Sequence, residues 1–150
     1  MQDSMAKNIV LGFVAAAIAV LVAHQGIIYL LTQLQVIKGT PWSMVGVKPY
    51  GVPAIVNSMF WGGLWGALFA VIQDKLPGGM MWLKGLIYGW LIVIFSNWLL
   101  LPLIKGSVFG EKNQVLFAGG DVQRLMAGAI ILGGFGLATG LIYGLLTKRA

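Results

Sequence analysis

The sequence predicts an all-α protein, an integral membrane bundle of four transmembrane helices with both termini on the same side. Hydrophobic residues make up 59% of the 150 positions and charged residues only 9%, whereas an ordinary soluble domain carries about 25% charged residues. Four apolar runs reach the length of about 20 residues that a bilayer crossing needs. The length of the chain fits one compact transmembrane domain.

The four runs are separated by connections of unequal length. In hydrocarbon each run must be helical, because an unpaired backbone amide there costs several kcal/mol. A short turn rich in Pro and Gly joins the second and third runs, and longer loops at 35–52 and 105–121 lie on the opposite side, which we call the long-loop side. We predict spans at residues 8–34, 53–73, 81–104 and 122–146.

The charged residues argue against nucleic-acid binding and give little information about the orientation of the protein in the membrane. The ten Lys and Arg residues are scattered near the ends of apolar runs, where they anchor helices at headgroups, so nucleic-acid binding is not expected. Five fall on the side of the termini and five on the long-loop side. Because Lys148 and Arg149 directly follow the last span, we expect cytoplasmic termini.

The sequence gives little support for a catalytic or metal-binding function. The chain has no Cys and one His, and tight zinc sites usually need three or four ligands. No nucleophile motif is present, and no carboxylate lies deep in a span, so we expect neither an enzyme nor a stand-alone active transporter. We also expect no metal and no resident cofactor.

Small residues recur along each span at helical spacing, which lets membrane helices approach closely. Two interpretations stay open: packing within one chain, or a self-association surface, for which the fourth span is the candidate. The residues of this packing or oligomer seam are Gly62 and Gly66 in the second span and Gly136, Gly140 and Gly144 in the fourth.

Polar residues within the spans fall at one depth, in the half of the membrane nearer the long loops. They are His24, Gln25, Asn57, Ser58, Ser96 and Asn97. Such groups must find partners in hydrocarbon, so one interpretation is a set of interhelical hydrogen bonds that fixes the register of the helices. The other is a cavity beneath the long loops that receives a polar ligand, an ion or a proton, with His24 as the side chain that titrates near neutral pH.

Three further features carry expectations. Asp121 and Arg124, three residues apart at the start of the fourth span, should pair at the interface. Trp42 should anchor its loop at the headgroups. Trp61 and Trp65, four apart, should face lipid or pack, although an aromatic box for a flat apolar ligand such as a quinone or carotenoid is an alternative.

The segments His24-Gln25-Gly26, Pro41-Trp42-Ser43, Gly51-Val52-Pro53 and 60–66 (FWGGLWG) resemble small four-helix bacterial inner-membrane proteins that are usually left uncharacterised. The resemblance is one of layout and covers most of the chain. It implies a multi-pass protein of the bacterial cytoplasmic membrane and carries no activity.

The leading functional hypothesis from the sequence is a non-enzymatic membrane component, either self-associating or an accessory subunit of a larger complex. Its partners would be the lipid bilayer and either itself or other membrane subunits. The alternative is a small permeation or ligand-binding protein that uses the polar layer around His24.

Overall fold

A computed structural model describes residues 2–110 and 115–149 and is built on four long helices. The first helix is interrupted by one π-helical turn, and the second ends in a 3-10 turn just before the short connection. The first consists of Gln2–Ala19, the π turn Val20–His24, and Gln25–Gln33. The second consists of Ala54–Ile72 and the 3-10 turn Gln73–Lys75.

The third helix also contains a π-helical segment, whereas the fourth is uninterrupted. The third consists of Met81–Ile92, the π segment Val93–Leu100, and Leu101–Ser107. The fourth is Val122–Thr147. Pro77, Gly78 and Gly79 lie between the second and third helices, as expected for residues that stop helices.

The long loops contain structure that hydropathy did not predict. Gly46–Val47 pairs antiparallel with Val52–Pro53 in a small hairpin, and Leu116–Gly120 forms a 3-10 turn. Residues 111–114 of the predicted loop 105–121 lie outside the described residues. The chain is mostly helical, at 77%. The small hairpin is a correction to the all-α prediction.

All four helices are long and apolar enough to span a membrane. Their outward faces carry large apolar side chains, including Val22, Phe60, Phe95 and Leu145, each more than half exposed. A surface of this kind is unusual for a protein dissolved in water. These features indicate a multi-pass membrane protein.

The helices pack in the spatial order second, first, fourth, third. Arg149 lies 3.9 Å from Asp74 of the short turn. The side chains of Lys7 and Asn8 line a surface depression together with Thr147 and Lys148. Both ends of the described chain and the short turn therefore lie at one end of the bundle.

The first and second helices touch through their backbones at Gly12 and Gly66. A Cβ added to Gly66 would contact the Gly12 carbonyl oxygen, and a Cβ added to Gly12 would contact the Gly66 carbonyl oxygen and lie 2.8 Å from Ala70 Cβ. Gly62 faces the side chain of Val20 in the first helix. Any side chain at Gly12 or Gly66 would separate the pair.

The third and fourth helices form an equally close pair. A Cβ on Gly136 would lie 2.7 Å from Gly89 Cα and would contact the Gly85 carbonyl oxygen. Gly140 and Gly144 face Met81 of the third helix. Gly136, Gly140 and Gly144 therefore pack against the third helix of the same chain.

An aromatic layer joins three helices near the short-turn end. The Phe69 ring lies 5.2 Å from the Tyr88 ring and 5.6 Å from the Tyr143 ring, centroid to centroid. The Tyr88 hydroxyl donates a hydrogen bond of 2.7 Å to the Trp65 carbonyl oxygen. The second and third helices are thus bridged here by large side chains and not by close backbone contact.

We predict that Gly136→Ala destabilises the protein by about 1–3 kcal/mol, because the added methyl group overpacks a backbone contact. Gly26→Ala is the matched control, since a Cβ at Gly26 meets nothing within 4 Å. Thermal unfolding in detergent, followed by size-exclusion chromatography, measures both variants. Equal melting temperatures for the two variants would contradict the packing described here.

Candidate functional site

The π turn of the first helix places His24 and Gln25 side by side at membrane depth. His24 is partly buried, and its ring lies edge-on to Phe135 of the fourth helix at 6.2 Å. Gln25 is 6% exposed, and its Nε2 lies 3.3 Å from His24 Nδ1. A buried amide at this depth must satisfy both of its ends, and Gln25 does so with two different partners.

The second partner of Gln25 is the loop 35–52. The Trp42 backbone N–H donates to Gln25 Oε1 at 2.9 Å, and the Trp42 indole N–H donates to the Leu21 carbonyl oxygen at 2.8 Å. Gln25 lies roughly 12 Å before the end of the helix at Gln33. The loop therefore folds back along the first helix. Trp42, which was predicted to anchor the loop at the headgroups, is held by hydrogen bonds to that helix.

These bonds fix the state of His24. A backbone N–H can only donate, so its partner on Gln25 is the amide oxygen, and the amide NH₂ must face His24. An NH₂ group cannot accept, so His24 Nδ1 must be the acceptor. The geometry therefore selects neutral His24 with its proton on Nε2, which leaves an N–H donor for another group.

The folded loop covers a cavity of about 570 Å³ between itself and the first and second helices. His24, Gln25 and Ser58 line it at membrane depth, and Lys38 and Ser43 belong to the part formed by the loop. Most of its lining is apolar, with a few polar groups. This volume lies within the range of roughly 300–1,000 Å³ typical of small-molecule sites.

A second opening, which we call the cleft, is lined by residues of all four helices and measures about 190 Å³. Trp61 and Trp65 line it on the second helix, and Asn97 lines it on the third. His24 and Ser58 line both the cleft and the loop cavity. The two openings therefore adjoin at His24 and Ser58.

The predicted polar layer separates into groups with different surroundings. His24, Ser58 and Asn97 come together at the cleft, and Gln25 holds the loop. Ser96 is 8% exposed and, like the half-buried Asn57, does not line either opening. Three of the six residues therefore line one opening, and the hydrogen bonds of Gln25 join it to His24 of its own helix and to the loop.

Asp121 and Arg124 lie outside this site. Arg124 Nε is 3.6 Å from Asp121 Oδ2, and both side chains are largely exposed. The Arg124 backbone N–H also donates to Asp121 Oδ1 at 3.1 Å, so Asp121 caps the fourth helix. Nearby, Gln123 donates to the Val36 carbonyl oxygen and ties loop 35–52 to this helix.

Sequence reasoning missed the hydrogen bonds of Trp42 and the cleft beside Trp61 and Trp65. The pattern Pro41-Trp42 signals a turn with an aromatic residue but gives no information about its partners. The two π-helical segments contain the polar residues His24, Ser96 and Asn97 among apolar ones, but this composition does not distinguish a π segment from an α-helix.

The polar groups that line the cleft are neutral and can form hydrogen bonds. No group of three or more His, Asp and Glu side chains within residues 2–110 and 115–149 could hold a metal ion. The described lining of the cleft contains no Asp, Glu, Lys or Arg. Its polar groups are an imidazole, a hydroxyl and an amide.

The fold and site define a small multi-helix bundle with a loop-covered cavity. Comparisons with family models, curated proteins and solved structures find no match. The layout resemblance to small bacterial inner-membrane proteins therefore stays a prediction.

We predict that Gln25→Leu releases the loop, because the Trp42 amide loses its acceptor. A hydrogen bond contributes about 1 kcal/mol, so hydrogen exchange at the Trp42 amide should accelerate about fivefold to tenfold. Gln33→Leu, an exposed glutamine of the same helix, is the control and should leave this exchange rate unchanged. Unchanged exchange in Gln25→Leu would show that other contacts hold the loop.

Proposed function

We propose that the protein binds a small, uncharged molecule in the cavity beneath loop 35–52, with a hydrogen-bond acceptor of the ligand at His24. The observation that carries this proposal is the shared position of His24 and Ser58, which line both the loop cavity and the cleft. A neutral imidazole with a free Nε2–H and a hydroxyl together favour a carbonyl or ether oxygen.

The apolar lining supports the same proposal. Ile28, Val45 and Ile55 line the loop cavity alongside its few polar groups. Pockets of this composition bind the apolar body of a ligand and use a small number of polar groups to orient it. Lys38, exposed on the loop, is the charged residue of this lining and belongs to the loop side of the cavity.

We also propose insertion into a bacterial cytoplasmic membrane with both termini in the cytoplasm. The apolar outer faces of the four helices support insertion, and the layout resemblance supports the bacterial membrane. Lys148 and Arg149 at the end of the last helix support cytoplasmic termini, through the preference of basic residues for that side.

The hypothesis of a self-associating component or accessory subunit stays a prediction with less support. It was motivated by the short loops, the lack of a deep carboxylate and the glycine seams, and the seam of the fourth helix packs against the third helix of the same chain. The two hypotheses differ in the mass that gentle extraction should yield, so one measurement separates them.

We expect native mass spectrometry of the wild-type protein, extracted gently from its own membrane, to show a monomer with a small bound mass. His24→Leu should lose this mass, because the ligand loses its hydrogen-bond donor. Ser96→Ala, at similar depth but outside both openings, should retain it. A wild-type monomer without bound mass, or an assembly with foreign subunits, would contradict the proposal.

Water access to the cavity gives a second test in this Cys-free chain. We expect Ser58→Cys to react with a charged, membrane-impermeant thiosulfonate added on the long-loop side, because the reactive thiolate needs water. Ser96→Cys, buried against the bundle, should react at least tenfold more slowly. Equal protection of both cysteines would mean that the loop cavity is closed to water.

A further inference from the structure

Two π-helical segments border the cleft from different helices. His24 and Val20 belong to the π turn of the first helix, and Asn97 belongs to the π segment of the third. π-helical residues are well under 1% of globular structure, and π-bulges are frequent at functional sites because they redirect the side chains that follow. Their meeting at one opening is independent of the depth argument that first singled out these residues.

The cleft faces sideways, toward the position of the lipid chains. Trp61 on the second helix is 56% exposed, and Asn97 on the third is also exposed. The bridge between these two helices, Tyr88 to Trp65, lies on the order of 10 Å closer to the short turn than Asn97 does. Trp61 and Asn97 both lie on the long-loop side of that bridge, at the depth of the hydrocarbon.

The lining of the cleft selects for an uncharged head group. A phosphate, carboxylate or ammonium group placed there would meet no residue of opposite charge among the described lining, and an unpaired charge in such surroundings costs several kcal/mol. The polar groups present can all donate: Nε2–H of His24, the hydroxyl of Ser58 and the amide NH₂ of Asn97. Carbonyl oxygens are the matching acceptors.

We propose that the cleft is a portal from the bilayer, and that the ligand is a membrane-dissolved amphiphile with carbonyl acceptors on a flat ring, which is the chemistry of a quinone. This inference rests on the proposed function and names its ligand class and route. On this route the ring passes along Trp61 and Trp65, whose indoles offer flat apolar surfaces, and its carbonyls meet Asn97 in the cleft and then His24 and Ser58, where the cleft adjoins the loop cavity. The alkyl tail remains among the lipids.

The test uses the full-length protein in lipid nanodiscs and two photoreactive probes. Both carry the same alkyl diazirine chain; one has a benzoquinone head and the other a sulfonate head. We expect the benzoquinone probe to label peptides around Trp61 and Asn97 in a saturable manner, and to be displaced by the same quinone lacking the diazirine. The sulfonate probe should label the outer helix faces without saturation.

Two variants make the test specific. Asn97→Leu should reduce saturable labelling by the benzoquinone probe about fivefold to tenfold, as expected for the loss of one hydrogen bond of about 1 kcal/mol. Asn57→Leu, the same substitution on the neighbouring helix but outside the cleft, should not reduce it. An equal reduction by both variants would overturn the assignment of Asn97 to the site.

The outcomes also separate this inference from the function on which it rests. Uniform, non-displaceable labelling by the benzoquinone probe would overturn the portal, while modification of Ser58→Cys from the long-loop side would still support the loop cavity. Preferential labelling of the cleft by the sulfonate probe would overturn the uncharged ligand. Saturable labelling together with a protected Ser58→Cys would support the portal and contradict the water-accessible cavity.

Discussion

Backbone contact at glycines is the constraint on which the rest of this structure depends. Helices in lipid gain little from burying apolar side chains against each other, so they associate where small residues allow close approach. Gly12 with Gly66, and Gly136 with Gly85 and Gly89, supply that approach in two pairs of helices. The second and third helices have no such glycine contact with each other in the described structure.

The cleft follows from this unequal packing. Tyr88 and Phe69 bridge the second and third helices at the short-turn end, and large side chains hold backbones further apart than glycines do. Nearer the long loops, the described residues form no such bridge between the second and third helices, and His24 and Asn97 line the cleft there. The candidate site is thus the part of the bundle that the glycine pairs do not close.

Loop 35–52 covers the other side of the same region. Its position depends on Gln25, whose amide oxygen accepts from Trp42 while its NH₂ faces His24. The bond from the Trp42 indole to the Leu21 carbonyl oxygen adds a second attachment within the π turn. One buried amide therefore contributes to the position of the loop and also determines which nitrogen of His24 carries the proton.

The sequence predicted the parts of this structure that depend on local properties. Long apolar runs mark helices wherever they occur, and the shared depth of His24, Ser58 and Asn97 follows from counting residues along those runs. Which polar residues meet depends on the rotation of each helix, and a π segment changes that rotation by an extra residue, about 100°. Counting from Gly85 and Gly89 in α-helical steps therefore misplaces the face that carries Asn97.

Glycine stripes posed a related problem, because close approach looks the same in sequence whether the partner helix belongs to the same chain or to another. The folding of Trp42 onto Gln25 was equally hidden, since it joins residues 17 positions apart through one irregular loop. The local sequence pattern predicts the depth and spacing of residues along a helix. Their partners on other helices and loops can be identified only from the packed structure.

The arrangement around His24 favours binding over proton transfer. A histidine that relays protons must pass through a state in which both ring nitrogens carry hydrogen. In that state Nδ1–H would face the Gln25 NH₂, two donors 3.3 Å apart. Rotating the Gln25 amide would relieve the conflict but would place its NH₂ against the Trp42 backbone N–H and break the attachment of the loop. A neutral ligand that accepts a hydrogen bond from Nε2 requires none of these changes, and for that reason the geometry supports a fixed donor to an uncharged acceptor.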